Sequence, residues 1–127
     1  MSYQNDISII KSGVWETKGG SRLILKINEN GLVSGSYATS HGRPGQDDFF
    51  PVTGWVNHNL LSLCCAWGEH RSMTTWCGRF YHEDGKDVIK YMWHLAREFE
   101  DKEHTVENNL TFTFHTMSGT FIRKEEK

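Results

Sequence analysis

Residues 72–97 read SMTTWCGRFYHEDGKDVIKYMWHLAR and contain two runs separated by a turn signal at 83–85. In the second run, large side chains recur at every second position: Ile89, Tyr91, Trp93 and Leu95. That period is typical of a β-strand with one buried face, whereas an amphipathic helix repeats about every 3.6 residues. The stretch therefore predicts two neighbouring β-strands rather than a helix.

The same pattern extends over the rest of the chain. Short runs rich in β-branched and aromatic residues are separated by Gly- and Asn-containing turn signals about every 8–12 residues. They predict eight strands, at 13–17, 21–27, 33–39, 49–56, 60–67, 73–82, 87–97 and 109–123. Because closing a sheet of hairpins removes both of its edges, the predicted fold is all-β, an eight-stranded antiparallel up-and-down β-barrel.

Length and composition fit one such domain. The chain has 127 residues, enough to bury a core without disulfides or metals. We expect the barrel domain to span 12–124, between an N-terminal tail at 1–11 and a C-terminal tail at 125–127. A net charge of -2 and the lack of a Lys/Arg cluster argue against nucleic acid as a partner. No apolar run approaches the roughly 20 residues of a membrane span, so no membrane partner is expected.

Cysteine usage and the first residues bear on redox chemistry and compartment. Cys64, Cys65 and Cys77 cannot all pair within the chain, and no CxxC spacing indicates zinc. We therefore expect neither a metal site nor a cofactor. Residues 1–10 include Asp6 and no apolar stretch of signal-peptide length. The compartment stays open between a protein that remains in the cell and one whose signal has been removed.

The inner faces of the predicted strands differ between the two ends of the barrel. With Trp67 and Trp93 facing inward, alternation places an aliphatic group at one end: Leu23, Leu25, Leu61 and Leu63. At the other end it places tryptophans and hydroxyls: Trp67, Trp76, Trp93, Thr17, Ser21, Tyr37, Thr39, Ser72 and Thr74. Apolar walls with a few polar groups suit one small ligand. The same residues also fit a plain core in which the hydroxyls bond one another, and the pattern alone favours neither.

Several motifs at these positions resemble the avidin and streptavidin family. They are Gly13-Val-Trp15, Gly31-Leu-Val-Ser-Gly35-Ser-Tyr37, Thr53-Gly54, Ala66-Trp67, Ser72-Met-Thr74-Thr-Trp76-Cys-Gly78, Gly85-Lys-Asp-Val-Ile-Lys-Tyr-Met-Trp93-His-Leu95 and Thr120-Phe121-Ile-Arg123. A lone Gly-x-Trp is a weak signal because lipocalins share it, but the ordered set is specific. The resemblance implies an eight-stranded barrel, assembled as a dimer or tetramer, that binds biotin at its open end.

The resemblance also implies a role for each residue of the site. Ser21 and Tyr37 match donors to the ureido oxygen of biotin, and Thr39 matches the acceptor of one ureido N–H. Thr74 matches a contact to the ring sulfur, and Ser72 a contact to the valerate carboxylate. The apolar cage is matched by Trp67, Trp76, Trp93 and Leu95. Biotin, or a biotin-like small molecule, is therefore the expected ligand.

Three positions depart from the family. Thr17 stands where an Asn donates to the ureido oxygen, Gly19 replaces a pocket-lining Leu, and Gly119 stands where an Asp or Asn takes the second ureido N–H. The candidates to replace this last group are His115, Ser118 and Asn109. Each unmade hydrogen bond to a buried group costs roughly 1–3 kcal/mol, so two losses weaken affinity by about two to four decades. We predict biotin binding weaker than is typical of the family or, alternatively, a carrier retuned to a different small ligand.

Catalysis, association and assembly are three further hypotheses. An enzyme would draw its acids and bases from His41, Asp47, Asp48, Glu69 and His70, but the chain has no HExxH and no Gly-x-Ser-x-Gly, so a non-enzymatic function is predicted. A barrel that serves only in protein association would have a pocket filled by its own side chains. The outward faces of the sixth and seventh strands carry Cys77, Val88, Met92 and His94. Apolar groups there indicate a subunit interface, so we expect a homo-oligomer, either a dimer or a tetramer.

Overall fold

The computed structural model of the chain describes residues 9–39, 49–68, 71–98 and 114–125. These residues form eight strands: β1 (Gly13–Glu16), β2 (Arg22–Ile27), β3 (Leu32–Ala38), β4 (Phe50–Asn57), β5 (Leu60–Ala66), β6 (Ser72–Glu83), β7 (Lys86–Arg97) and β8 (Phe114–Arg123). No helix among them is long and apolar enough to cross a membrane.

Each strand pairs antiparallel with the next one along the chain, and β1 also pairs with β8. The sheet is therefore a closed barrel, which confirms the predicted fold class. At the seam, Trp15 pairs with Arg123 and Glu16 with Ile122. The Arg123 guanidinium donates a hydrogen bond of 3.0 Å to the carbonyl oxygen of Ser12, just before β1 begins. Closure gives every one of these strands two hydrogen-bonded neighbours.

The longest pair of strands is the β6–β7 hairpin, in register from Ser72 opposite Arg97 to Glu83 opposite Lys86. Asp84 and Gly85 form its two-residue turn, with φ of +53° and +76°. A type I′ turn needs positive φ at both positions, which Asp tolerates and Gly adopts without steric cost. The twist of this turn matches the twist of the strands, so the local sequence sets the hairpin register.

The first seven predicted strands begin and end within one residue of the observed ones. The eighth is observed from Phe114 to Arg123 and ends where predicted, and its predicted start at position 109 is not tested. Residues 109–113 lie outside the described residues. The predicted alternation is also confirmed, since Leu61, Leu63 and Cys65 are buried between exposed or half-buried neighbours on β5.

The core lies at the end of the barrel formed by the turns after β2, β4 and β6. Its fully buried side chains include Trp15, Leu23, Leu25, Leu61, Leu63, Ile89 and Phe121. The Trp15 indole N–H donates to the carbonyl oxygen of Lys11 at 3.1 Å, so the one polar atom of this side chain is satisfied. Ile10 also packs into this cluster. This end is closed and apolar, as alternation predicts.

Two glycines allow the backbone to pass close to neighbouring strands. A Cβ at Gly35 would collide with the carbonyl oxygen of Ile24, and a Cβ at Gly54 with that of Ser62. In both cases the obstacle is backbone, which cannot turn away as a side chain can. Glycine is therefore required on β3 and β4 where the sheet bends into the barrel.

Candidate ligand-binding site

A cavity of about 560 Å³ opens at the other end of the barrel, where β1, β3, β5 and β7 end. All ten residues predicted for a ligand site line it: Thr17, Ser21, Tyr37, Thr39, Trp67, Ser72, Thr74, Trp76, Trp93 and Leu95. Gly19, Phe50 and Tyr91 complete the lining. The volume lies within the range of small-molecule pockets, and no side chain of the described residues fills the space.

Aromatic rings form the walls of the cavity. Tyr37 lies 5.7 Å from Trp67 and 5.0 Å from Trp76, measured between ring centroids. Trp67 and Trp76 meet at 6.4 Å and 69°, and Phe50 packs on Trp67 at 5.1 Å and 71°. Three of these four contacts are edge-to-face, which is a favoured geometry of aromatic pairs, and the fourth, between Tyr37 and Trp76, is tilted at 41°. The rings therefore hold one another in place, and the wall is formed without a ligand.

Ser21 and Tyr37 bring two hydroxyl groups together on the β2–β3 side of the cavity. Both residues are buried, and their side chains are hydrogen-bonded to each other. Burial raises the pKa of Tyr37, the Ser21 hydrogen bond lowers it, and the nearby Cys65 raises it again, with a net upward shift. The phenol is therefore neutral at physiological pH and can donate its proton.

Thr74 and Thr17 each accept a hydrogen bond that fixes the hydroxyl oxygen. The Trp67 indole N–H donates to Thr74 Oγ1 at 2.7 Å. In the turn between β1 and β2, the Ser21 backbone N–H donates to Thr17 Oγ1 at 3.1 Å. A hydroxyl that accepts in this way keeps its own proton for a further partner.

No charged side chain faces the cavity among the residues that the structure describes, because none of the thirteen lining residues is Asp, Glu, Lys, Arg or His. Cys65 is buried next to this region, and burial, followed by the neighbouring Cys64, raises the pKa of its thiol to about 11. A neutral buried thiol is a poor nucleophile. The described residues also contain no group of three or more His, Cys, Asp or Glu that could hold a metal ion. The residues considered for catalysis lie outside the described residues: His41, Asp47, Asp48, Glu69 and His70.

Phe50 and Tyr91 are the lining residues that the sequence reasoning did not assign to the site. Tyr91 was placed on the inner face of its strand, and the signal that would have singled it out is the small residue directly opposite, Gly119. Of the candidates to compensate for Gly119, the two that the structure describes do not line the cavity. Ser118 is exposed, His115 contacts the Arg97 guanidinium at 3.1 Å, and Asn109 lies outside the described residues.

Comparison with known proteins agrees with this architecture. The family model described as "Avidin family" matches residues 6–118. Avidin-related protein 4/5 of Gallus gallus is 29% identical over 98 residues, which cover 71% of this chain and 65% of that protein. The match thus spans slightly less than two thirds of that relative's length.

Solved structures show the same fold. Xenavidin superposes with a TM-score of 0.75 at 26% identity, covering 91% of this chain and 98% of that one. The rhizavidin–biotin complex also gives a TM-score of 0.75, at 24% identity, covering 92% of this chain and 95% of that one. With a family match over most of its length and the same closed barrel, this chain belongs to the avidin family.

Proposed function

We propose that this chain is a non-catalytic binding protein that takes biotin in the open end of its barrel. The observation that carries the proposal is the preformed, uncharged cavity in which aromatic walls surround several hydroxyl groups. A flat urea ring needs apolar contact on its faces and hydrogen bonds at its edge. Hydrogen bonds in such a dry cavity are stronger than in water. The rhizavidin structure in the comparison contains biotin, which supports the same choice of ligand.

In this proposal each hydroxyl group binds a particular polar atom of biotin. Ser21 and Tyr37 donate to the ureido oxygen, and Thr39 accepts from one ureido N–H. Thr74 turns its remaining proton toward the ring sulfur, since its oxygen is already engaged by Trp67. Ser72, at the start of β6, meets the valerate carboxylate. The apolar contacts come from Trp67, Trp76, Trp93 and Leu95.

We infer an affinity below the usual level of the family. The hydroxyl oxygen of Thr17 is tied to the backbone of the β1–β2 turn, and its side chain is shorter than the asparagine it replaces. A weakened hydrogen bond to a buried oxygen costs about 1–3 kcal/mol. A retuned cavity that takes a different small ligand is the second candidate, and the changed residues at positions 17 and 119 favour it.

We further propose that the chain forms a homo-oligomer through the outer face of β6 and β7. Met73, Cys77 and Met92 are exposed on that face, and Cys77 lies directly opposite Met92. His94 is exposed on the same face, whereas Val88 is buried within the subunit and adds nothing to the surface. Exposed apolar side chains grouped on one face of a sheet mark interaction surfaces.

The first prediction is that biotin binds at one site per subunit. Isothermal titration calorimetry and tryptophan fluorescence measure it, since Trp67 and Trp76 lie in the wall of the cavity. Trp67→Ala removes part of the wall and the donor to Thr74, so we expect at least a hundredfold loss of affinity, equivalent to about 2.7 kcal/mol. Trp55→Ala is the matched control, because Trp55 is 58% exposed on β4 and distant from the cavity lining.

Two outcomes would count against biotin binding at this site. If Trp67→Ala binds biotin as the unchanged protein does, the site is elsewhere. If the unchanged protein shows no heat and no fluorescence change at high micromolar biotin, the retuned carrier is the better reading. Mass spectrometry of small molecules that copurify with the protein would then identify the ligand class.

A further inference from the structure

Tyr91 is a buried lining residue of the cavity whose hydroxyl has no hydrogen-bond partner among the described residues. The side chain is 8% exposed, lies on the inner face of β7 and lines the cavity. Its ring packs on Phe121, with 4.4 Å between centroids and an interplanar angle of 33°. Within the described residues the phenol oxygen makes no hydrogen bond to another protein group. A buried hydroxyl in that condition is costly unless a water or a ligand completes it.

Gly119 is the residue that allows the phenol to lie where it does. The two residues are directly opposite each other on β7 and β8. A Cβ built at position 119 would stand 2.5 Å from the phenol oxygen and 2.6 Å from the ring carbon that bears it. Any side chain at 119 would therefore displace the hydroxyl of Tyr91. Gly119 on β8 therefore leaves open the space that the phenol of Tyr91, on the neighbouring strand β7, occupies.

The wall on which Tyr91 stands faces the one that carries Tyr37 and Thr39. In a closed barrel of eight strands, β3 and β7 are four strands apart in either direction. The two phenols are still close enough for a charge on Tyr37 to act on Tyr91. Burial, and then this proximity, raise the pKa of Tyr91 to about 12, so its hydroxyl is neutral and can both donate and accept.

A cyclic urea presents a pattern that matches these two walls. Its carbonyl oxygen accepts hydrogen bonds, and its two N–H groups point away from each other on either side of that oxygen. A site that holds both N–H groups needs one acceptor on each side. Thr39 stands just after β3, and Tyr91 stands on β7 across the cavity.

We propose that Tyr91 is a specificity-determining residue whose hydroxyl accepts a hydrogen bond from one N–H of a bound cyclic urea, in a position that the glycine at 119 keeps open. This inference rests on the proposed binding of biotin. Tyr91 would bind the ureido N–H on the side of the ring that faces away from Thr39. The hydroxyl comes from β7 and not from the strand that carries position 119.

The variant Tyr91→Phe tests the proposal, because it removes one oxygen and keeps the ring on Phe121. We expect biotin affinity to fall about tenfold or more, as for an N–H left without an acceptor in a buried site. Tyr81→Phe is the matched control. Tyr81 is a half-buried tyrosine near the far end of β6 and does not line the cavity, so its loss of a hydroxyl should leave affinity unchanged.

A chemical comparison separates a hydrogen bond from a general effect on the cavity. Two ligands are used beside biotin, each methylated on one of the ureido nitrogens. The unchanged protein should bind both poorly. In Tyr91→Phe the penalty for one of the two isomers should shrink by about tenfold, because its methyl group no longer displaces an N–H donor from an acceptor. The penalty for the other isomer, which faces Thr39, should remain.

Gly119→Ala gives a second route to the same result if Tyr91→Phe folds poorly. Its Cβ displaces the phenol, so the same isomer should lose its penalty. If Tyr91→Phe binds biotin as tightly as the unchanged protein, or weakens all three ligands by one factor, the inference is wrong while biotin binding stands. If the unchanged protein does not bind biotin, the proposed function and this inference fall together.

Discussion

Two hydroxyl groups of the cavity accept hydrogen bonds from the protein, and these bonds orient them toward a ligand. Thr74 accepts from the Trp67 indole, and Thr17 accepts from the Ser21 backbone. Each hydroxyl oxygen already accepts one hydrogen bond within the protein, and its own proton remains to be donated to a ligand. The cavity therefore presents several donors, which suits a ligand with carbonyl or carboxylate oxygens.

The buried phenols predict how stability depends on pH. The pKa of Tyr91 rises to about 12 through burial and proximity to Tyr37, and the pKa of Tyr37 also rises. Above pH 10 the unfolded chain loses these protons before the folded one does, so the folded state binds more protons. Stability should be unaffected by the two groups below about pH 10 and should fall by about 1.4 kcal/mol per pH unit between pH 10 and 12 through Tyr91, with Tyr37 adding to the decline above pH 10.

Chemical denaturation from pH 8 to pH 12 measures this loss. Tyr91→Phe should flatten the alkaline decline, because it removes one of the two groups that cause it. A decline of equal steepness in the unchanged protein and in Tyr91→Phe would contradict the assignment to Tyr91.

Alternation and family motifs agree at Ser21, Tyr37 and Trp76, and all three side chains line the cavity. The role that we propose for Tyr91 depends on a cross-strand neighbour, which these patterns do not identify. The register of β7 against β8 decides which residue fills the space at Gly119, and no local pattern in either strand states that register.

At the scale of strands, local chemistry accounts for most of the architecture. The type I′ turn at Asp84 and Gly85 sets the β6–β7 hairpin, and β-branched and aromatic alternation sets the inner faces. The close approach of β4 to β5 at Gly54 is different. It is a long-range packing condition, so from sequence it is recognisable only as part of the Thr53-Gly54 motif.

Gly54→Ala should destabilise the barrel by about 1–3 kcal/mol, because the added Cβ collides with the carbonyl oxygen of Ser62 and the strands must separate. Thermal and urea unfolding measure the change. Ser34→Ala, on the exposed face of β3, is the control and should stay within about 0.5 kcal/mol of the unchanged protein. Equal stability of the two variants would show that β4 and β5 can move apart freely.

At the scale of the whole molecule, the outer face of β6 and β7 predicts self-association. Met92→Lys places a charge among Met73 and Cys77, so we expect sedimentation velocity to shift from an oligomer to the subunit mass of 14.7 kDa. Trp55→Lys, at an apolar residue on β4 that is more exposed than Met92, should leave the oligomer intact. A monomer before any substitution, or dissociation by Trp55→Lys alone, would move the interface or remove it.

The seam between β1 and β8 has a kinetic consequence. The connections between consecutive strands span 16 residues or fewer, whereas the hydrogen bond from Arg123 to Ser12 joins positions 111 residues apart. Contacts of such long sequence separation form late, since loop closure must precede them. The cavity lining runs from Thr17, just after β1, to Leu95 on β7. When the seam is open these two ends of the lining can separate, so the pocket is incomplete. A bound ligand should therefore lengthen the lifetime of the folded barrel by slowing its opening, and should leave the rate of folding nearly unchanged.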